Sequence, residues 1–271
     1  MIPGRAALIP ALNRCSCLAA ILMIAAAQCG FAQTTPGAPF YSAQSIVHAA
    51  TQTVEALAPN TIATIYGTNL AFDTESASVQ TGGTLPTTIA GVGVVVEGIT
   101  ANMFFVSPPQ INFLIPYDLT AGMVSVYVGR QGLAGPVVQI QLNSTAPGLF
   151  LYNNFVIATH LNGTLISPTS PANGGEIIVI YVAGLGRVNP DTTSGRLATF
   201  AATIVAAAQT EILLDGVPCP QSSLLYVGLA PGFAGLYQIN LILPPLTPSN
   251  PELRIQVGPQ ISPPGTILAV N

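Results

Sequence analysis

The heptapeptide QINFLIP at residues 110–116 returns as QINLILP at residues 238–244, 128 positions later. Side chains along a β-strand alternate between its two faces. Gln110 and Asn112 therefore share one face of the first strand, and Gln238 and Asn240 share the matching face of the second. The core-facing residues are Ile111, Phe113 and Ile115 on the first strand and Ile239, Leu241 and Leu243 on the second. A proline ends each heptapeptide, because it cannot donate a hydrogen bond to a neighbouring strand.

Other segments repeat in the same order as this strand. TIYGTNL (64–70) matches VIYVAGL (179–185), and VVVEGITA (94–101) matches ILLDGVPC (212–219). The offset between matched segments grows from 115 to 118 to 128 positions, so the second copy carries insertions. The main insertion is the glycine-rich GLAPGFAGLY (228–237). An ordered series of matches indicates internal duplication.

Short β-branched runs separated by Gly, Pro and Asn fill both copies, a pattern typical of β-sandwiches. The clearest runs are TIATIYG (61–67), VGVVVEG (92–98), MVSVYVG (123–129), VVQIQL (137–142), EIIVIYVAG (176–184), TEILLDG (210–216) and ELRIQVG (252–258). The sequence predicts an all-β fold of two tandem immunoglobulin-like sandwiches. We place the first at residues 42–147 and the second at 148–271, with the turn-rich STAPGLFLY (144–152) at the boundary.

The N-terminus has the features of an export signal. Arg5 and Arg14 precede the short apolar run CLAAILMIAAA (17–27), and GFA (30–32) offers a cleavage site before Gln33. We therefore predict a signal peptide at residues 1–32 and a secreted, periplasmic or cell-surface protein. Cys29 leaves a lipoprotein signal as the alternative, although Gln28 is larger than the residue that such a site requires.

Cleavage at Gln33 changes the charge and the cysteine content. Four Arg and no Lys would face ten acidic residues, a net charge of −6, and Cys219 would be the remaining cysteine. An acidic chain without a basic patch argues against binding to nucleic acid. No later apolar run is long enough for a membrane span. A single thiol excludes an internal disulfide, and Cys219 is predicted to be a small buried core residue.

The set of segments APNTIATIYGTNLA, LPTTIAGVGVVVEG, FFVSPPQINFLIP, APGLFLY, GGEIIVIYVAGLGRV and APGFAGLYQINLILP resembles an uncharacterised C-terminal-domain family of exported proteins from Acidobacteria such as Solibacter. The resemblance covers about residues 42–271. That family is similar to IPT/TIG domains, immunoglobulin-like modules of cell-surface receptors and bacterial secreted proteins. The resemblance implies an exported pair of β-sandwiches, and it brings no catalytic residues.

Sequence motifs for catalysis, metals and cofactors are missing. The chain has neither a G-x-S-x-G elbow nor a G-x-G-x-x-G phosphate loop, and its two histidines, His48 and His160, have no ligand-type neighbours in sequence. Asp191 is the sole carboxylate of NPDTTSG (189–195), which favours a turn over a Ca²⁺ site. Glu97-Gly98 and Asp215-Gly216 are typical of hairpin turns. We predict no catalytic, cofactor or metal site.

Two features remain as candidate binding elements. The pairs Gln110/Asn112 and Gln238/Asn240 either form part of a ligand surface or satisfy neighbouring backbone groups and hold the strand register. The inserted loop, with Pro231, Phe233 and Tyr237, is either a binding loop or a long hairpin connection.

We therefore expect a non-catalytic exported protein for surface adhesion, assembly or scaffolding, whose partner is a protein or glycan of the cell envelope. A carbohydrate-binding module is the alternative, although the chain has no Trp and would need exposed rings such as Tyr152 or Tyr237. A hydrolase ranks third, because it would require a carboxylate pair or a His beside a Ser.

Overall fold

The computed structural model describes residues 37–271. The predicted signal peptide, its cleavage site and Cys29 lie outside the described residues. Within residues 37–271, no helix has the length and apolar character needed to cross a membrane. The names "first copy" and "second copy" below denote the predicted repeats, residues 42–147 and 148–271.

The first copy is built from ten strands and one short 3₁₀ helix, Ala43–Ser45. The strands are β1 (Ile46–His48), β2 (Ile62–Tyr66), β3 (Glu75–Ser76), β4 (Val92–Val96), β5 (Ile99–Thr100), β6 (Asn102–Ser107), β7 (Gln110–Leu114), β8 (Gly122–Arg130), β9 (Leu133–Ala134) and β10 (Val138–Leu142). One antiparallel sheet has the order β1-β2-β7-β6-β3, and the other has the order β10-β8-β4-β5 with β9 beside β8.

The second copy has thirteen strands and the 3₁₀ helices Ala207–Gln209 and Gln221–Ser223. The strands are β11 (Gly148–Leu149), β12 (Leu151–Tyr152), β13 (Phe155–Val156), β14 (Ala158–His160), β15 (Ile177–Ala183), β16 (Val188–Asn189), β17 (Thr203–Ile204), β18 (Thr210–Leu214), β19 (Val217–Pro218), β20 (Leu224–Leu229), β21 (Tyr237–Ile242), β22 (Leu253–Val257) and β23 (Gln260–Ile261). Its main sheets have the orders β11-β15-β21-β20-β17-β16, with β14 beside β15, and β19-β18-β22-β23.

These sheet orders are those of the immunoglobulin sandwich. In strand letters, β1-β2-β7-β6 is A-B-E-D and β10-β8-β4 is G-F-C. The second copy repeats both orders with β14-β15-β21-β20 and β23-β22-β18. The predicted all-β, immunoglobulin-like fold is confirmed, while the domain limits remain predictions. The repeated heptapeptide forms strand E, which lies between strands B and D of each copy.

The predicted alternation along strand E is confirmed. Ile111 and Phe113 are fully buried in the first copy, as Ile239 and Leu241 are in the second, while the Gln and Asn residues are half-buried on the outer face. In each copy the buried residues of both sheets join one hydrophobic core. Burial of this apolar surface is the main force holding the two sheets together.

The two predicted hairpin turns also have the expected geometry. Glu97 and Gly98 have φ angles of 47° and 76°, and Asp215 and Gly216 have φ angles of 50° and 77°. Two successive positive φ values are what a type I′ turn requires. These turns join β4 to β5 and β18 to β19, so the two acidic residues serve the same local role in both copies.

Tyr117 joins the two copies. It follows strand E of the first copy, yet its side chain is fully buried within the core of the second copy. Its hydroxyl lies 2.7 Å from Asp191 Oδ1 and accepts a hydrogen bond from the Val188 amide at 3.1 Å. Burial is the main cause that raises the pKa of Tyr117 above its usual value. A side chain from one copy thus completes the packing of the other.

Backbone hydrogen bonds strengthen this junction. The Leu85 amide donates to Gly195 O at 2.9 Å, and the Leu197 amide donates to Gly83 O at 2.8 Å. The Ala146 amide, just before the predicted boundary, donates to Gly184 O at 2.7 Å. The described residues, 37–271, accordingly belong to one compact unit.

Candidate binding site

The two Gln/Asn pairs occupy equivalent places on the outer faces of the A-B-E-D sheets. Gln110 Nε2 donates to Asn112 Oδ1 at 2.9 Å, and Gln238 Nε2 donates to Asn240 Oδ1 at 3.2 Å. A tyrosine on strand B stands opposite each glutamine, Tyr66 in the first copy and Tyr181 in the second. Duplication has therefore preserved a group of one tyrosine and two amides on each face.

The group in the first copy has two further side-chain contacts. The Tyr66 hydroxyl donates to Gln52 Oε1 at 2.7 Å, and Thr64 Oγ1 donates to Asn112 Oδ1 at 3.1 Å. Gln52 comes from the turn after β1, where it adopts a positive φ of 57°. These contacts bind the tyrosine hydroxyl and one amide oxygen, whereas Gln110 Oε1 and Asn112 Nδ2 have no hydrogen-bond partner among residues 37–271.

The group in the second copy is open. Val179 takes the position of Thr64, and no residue between 37 and 271 hydrogen-bonds the Tyr181 hydroxyl. Gln238 Oε1 and Asn240 Nδ2 have no hydrogen-bond partner within the described chain either, as in the first copy, so the copies differ at the tyrosine hydroxyl and at the position of Thr64. These three groups lie on an outer face, where a ligand can reach them.

An apolar depression adjoins the open group. Phe150, Ile157, Tyr181, Phe233 and Leu236 surround a cavity of about 320 Å³, which we name the aromatic cup. Three of the five residues are aromatic, and Phe233 is 55% exposed. Concave sites with an apolar lining and a few polar groups are the usual form of small-ligand pockets.

The inserted loop builds one wall of the cup. The Gly232 amide donates to Ala198 O at 2.8 Å, and the Ala198 amide donates to Phe233 O at 3.0 Å. Gly232 has a φ of 81°, a conformation that glycine adopts without strain. These contacts fix the loop backbone and leave the Phe233 ring exposed.

The other side of the same loop contacts the first copy. Ala234 and Gly235 are buried, and Ala234 packs against Leu85 and Leu114. A Cβ atom on Gly235 would stand 2.3 Å from Leu114 Cδ1 and 3.1 Å from the backbone oxygen of Asn60, and φ is 66° here, so glycine suits this close approach. The sequence analysis offered a binding loop and a long hairpin connection as alternatives. The loop is a structural connection, and it also exposes an aromatic side chain.

One predicted loop residue has to be corrected. Pro231 and Phe233 are exposed, whereas Tyr237 is fully buried and cannot contact a ligand. Its hydroxyl donates to Gly186 O and accepts a hydrogen bond from Asn60 Nδ2 at 3.0 Å, and burial raises its pKa well above the usual value. Tyr237 lies on strand E at a position that faces the core. Its side chain is therefore buried, although the residue directly follows the loop.

His160 lies beside a carboxylate and a serine that the sequence did not associate with it. Its Nδ1 contacts Glu176 Oε1, and its Nε2 is 3.2 Å from both Oγ and the carbonyl oxygen of Ser170. The hydrogen bond to Glu176 is the main cause that raises the pKa of His160. A carboxylate and a carbonyl only accept hydrogen bonds, so together they favour the imidazolium, which cannot take a proton from Ser170.

The surroundings of Ser170 differ from those of an acyl-transfer nucleophile. The Ser170 amide donates to Ser167 O, and the next residue is Pro171, which has no N–H. The backbone donors that usually form an oxyanion hole beside a catalytic serine are therefore occupied or missing at these two positions. We interpret the cluster as a charged pair with a supporting serine.

His48 occupies the matching register position in the first copy. His48 pairs with Ala63 and His160 pairs with Ile178, and these partners are equivalent at the offset of 115. His48 is fully buried at the junction, where Nδ1 accepts from the Ala50 amide at 3.1 Å and Nε2 lies 3.1 Å from Ala146 O. These partners suit the neutral ring, and burial lowers the pKa of His48.

The remaining candidate residues are structural. Cys219 is buried in the core of the second copy, as predicted, and burial raises the pKa of its thiol to about 11. Asp191 accepts from Tyr117 and lies 3.5 Å from Arg187. No group of three or more metal-ligand side chains occurs among residues 37–271.

Comparison with known proteins gives distant structural likenesses. No protein-family model matches the chain, and no curated protein matches it. A surface glycan-binding protein from Prevotella bryantii is 11% identical with a TM-score of 0.26, over 81% of this chain and 40% of that one. The extracellular region of plexin A4 is 12% identical with a TM-score of 0.26, over 86% and 18% of the two chains.

The I9–I11 tandem from titin is 8% identical with a TM-score of 0.22, over 86% of this chain and 64% of that one. The chain thus spans less than two thirds of the length of each of these three structures. The class of protein that the strand order defines is an all-β, immunoglobulin-like one.

Proposed function

We propose that the protein is an exported, non-catalytic binding protein that acts in surface adhesion, assembly or scaffolding. The aromatic cup and the amides beside it would form its binding surface. The observation that carries this proposal is the open face of the second copy. There an aromatic side chain is 55% exposed beside a hydroxyl and two amides that lack a full set of protein partners. Exposed aromatic clusters of this kind are enriched at binding sites.

The junction between the copies supports a scaffolding role. Tyr117 is buried in the core of the second copy, and backbone hydrogen bonds connect the two copies on either side of it. A rigid connection holds a binding surface in a defined orientation and lowers the entropic cost of binding. An adhesion or assembly protein benefits from both effects.

Export and the absence of catalysis belong to this proposal. Export rests on the sequence of residues 1–32, and the resemblance to an exported Acidobacterial family agrees with it. Two observations argue against catalysis. The partners of His160 favour its charged form, and the backbone around Ser170 lacks free oxyanion donors. The expected partner is a protein or glycan of the cell envelope.

Carbohydrate binding is the second candidate function, and the three aromatic residues of the cup favour it. Sugar rings present an apolar face that packs on aromatic side chains, while their hydroxyl groups bind amides. Of the two rings suggested by the sequence, Tyr237 is buried and Tyr152 is 66% exposed, and the cup supplies three further aromatic residues. The glycan-binding protein from Prevotella bryantii is too distant in structure to add support.

A capture experiment tests the main proposal. The purified chain from residue 33 onward is incubated with envelope fractions of the producing cell, and the bound fraction is measured. We expect retention of the native chain, retention of Phe233→Ala reduced at least about fivefold, and unchanged retention of Phe200→Ala. Phe200 is a matched control, because it is 50% exposed and lines a different cavity from the aromatic cup. Equal retention of all three proteins, or none by the native chain, would contradict the proposal.

A further inference from the structure

The wall of the aromatic cup has the chemistry of a stacking surface. Phe150, Tyr181 and Phe233 come from three separate segments and border the same open cavity of about 320 Å³. Ile157 and Leu236 complete an apolar lining. Stacking on such rings suits a ligand that has an apolar face.

Polar groups stand at the edge of this wall. Tyr181 and Gln238 are directly opposite each other on neighbouring strands, which places their Cβ atoms about 5 Å apart. Within residues 37–271, the Tyr181 hydroxyl, Gln238 Oε1 and Asn240 Nδ2 have no hydrogen-bond partner. The edge therefore offers a hydroxyl that donates or accepts, one carbonyl acceptor and one amide donor. A purely apolar ligand would leave these groups unused.

The charges of the cup lining and of the whole chain favour an uncharged ligand. None of the five residues lining the cup is charged. The chain after residue 32 has four arginines and ten acidic residues, so its overall field repels anions. A cationic ligand would find no carboxylate in the cup lining. The cup is suited to an uncharged ligand that combines an apolar face with hydroxyl groups.

We propose that the aromatic cup binds a neutral sugar ring of an envelope or extracellular glycan. The apolar face of the ring would pack against Phe233 and Tyr181, and its hydroxyl groups would bond Gln238 and Asn240. Because this face is also the binding surface of the proposed function, the sugar proposal rests on that function. The equivalent face of the first copy binds no sugar, since the Tyr66 hydroxyl is bonded to Gln52 and no inserted loop adjoins it.

A glycan array carrying neutral and acidic glycans tests the proposal with four purified proteins. These are the native chain from residue 33, Phe233→Ala, Tyr181→Phe and the control Phe200→Ala. We expect binding to neutral glycans, with affinity lowered about tenfold by Phe233→Ala and about threefold by Tyr181→Phe. Phe200→Ala should bind as the native chain does. Circular dichroism of each variant confirms that it is folded.

The following results would overturn the sugar proposal. Binding confined to acidic glycans contradicts the charge argument, and equal binding by all four proteins places the site elsewhere. If no glycan binds but envelope capture still depends on Phe233, the sugar proposal fails and the proposed function stands. If neither glycan binding nor envelope capture occurs, both fail.

Discussion

The outer faces of the two copies began from the same strand pair and now differ in what remains accessible. Tyr66 in the first copy is bonded to Gln52, whereas Tyr181 in the second has a free hydroxyl within the described chain. The inserted loop adds Phe233 to the second face alone. One copy therefore bonds its tyrosine hydroxyl within the protein, and the other leaves that hydroxyl available beside an apolar wall.

A second comparison concerns the end of the same strand pair. Ile62 and Leu114 are paired across strands B and E, and the inserted loop of the second copy contacts both, so that Leu114 is fully buried while Ile62 is half-buried. Ile177 and Ile242 form the equivalent pair in the second copy, where both remain half-exposed. One edge of the first copy is therefore part of the junction, while its counterpart in the second copy faces outward.

Removal of the Tyr117 ring should have the largest effect, because it empties a buried site in the core of the second copy. Tyr117→Ala should lower the free energy of unfolding by about 3–5 kcal/mol. Chemical denaturation followed by circular dichroism measures this loss. Tyr152→Ala, at a position that is 66% exposed, should change it by less than about 0.5 kcal/mol. Similar losses in the two variants would contradict the assigned packing of Tyr117.

The contact between the inserted loop and the first copy can be tested with two glycines. Gly235 and Gly232 both have positive φ, 66° and 81°, so both alanine variants carry the same type of backbone strain. A Cβ at Gly235 would overlap Leu114, whereas nothing lies within 4 Å of a Cβ at Gly232. Gly235→Ala should therefore destabilise the protein by about 1–3 kcal/mol more than Gly232→Ala. Equal losses in thermal or denaturant unfolding would show that the loop does not pack on the first copy.

The two histidines should affect stability in opposite directions as pH changes. Burial lowers the pKa of His48, so below about pH 6.5 the unfolded chain binds a proton that the folded chain excludes. Stability should fall there by at most about 1.4 kcal/mol per pH unit for this group. Glu176 raises the pKa of His160, so its contribution is complete below about pH 6.5 and is lost as the pH rises through the raised value.

Unfolding free energies of His48→Gln and His160→Gln between about pH 5 and about pH 8 separate these effects. The first variant should lose much of the decrease in stability at acid pH, and the second should show a steeper decrease than the native chain. An unchanged acid slope in His48→Gln would contradict a buried neutral ring. Glu55 counteracts the effect of burial on the pKa of His48, and burial is the larger cause.

Loss of the tyrosine hydroxyls gives the smallest expected change in stability. Tyr66→Phe removes the hydrogen bond to Gln52 on an exposed face and should cost about 0.5 kcal/mol. Tyr181→Phe should cost close to nothing, because no residue between 37 and 271 bonds its hydroxyl. Denaturant titrations of the two variants in parallel provide the comparison. A larger cost at Tyr181 would mean that its hydroxyl already has a partner in the protein.

Local patterns were enough to predict the fold. Alternation along QINFLIP and QINLILP gave the inward and outward residues, and Glu97-Gly98 and Asp215-Gly216 gave their turns. These features depend on neighbours within a few residues, which a sequence displays directly. The candidate binding site was predicted only in part, through the Gln/Asn pairs and Phe233.

The missing residues of the site come from packing between distant segments. Phe150 and Ile157 reach the cup because strand A lies beside strand B, and Tyr181 was visible only as the repeat of Tyr66. The prediction that Tyr237 is exposed in the binding loop is wrong. The residue adjoins a glycine-rich loop, but it occupies a position on strand E that faces the core, and its side chain is buried. Ser170, His160 and Glu176 meet through the same pairing of strands A and B, which sequence spacing does not reveal.

Hydrogen exchange of the chain bound to the producing cell's envelope tests most directly whether the second copy alone carries the open binding face. We predict that binding slows exchange in peptides covering residues 150–157, 178–182 and 229–240. Peptides covering residues 62–66 and 110–114 should exchange as they do in the free chain. Slowed exchange in the first copy's strands, or equally in both copies, would contradict it.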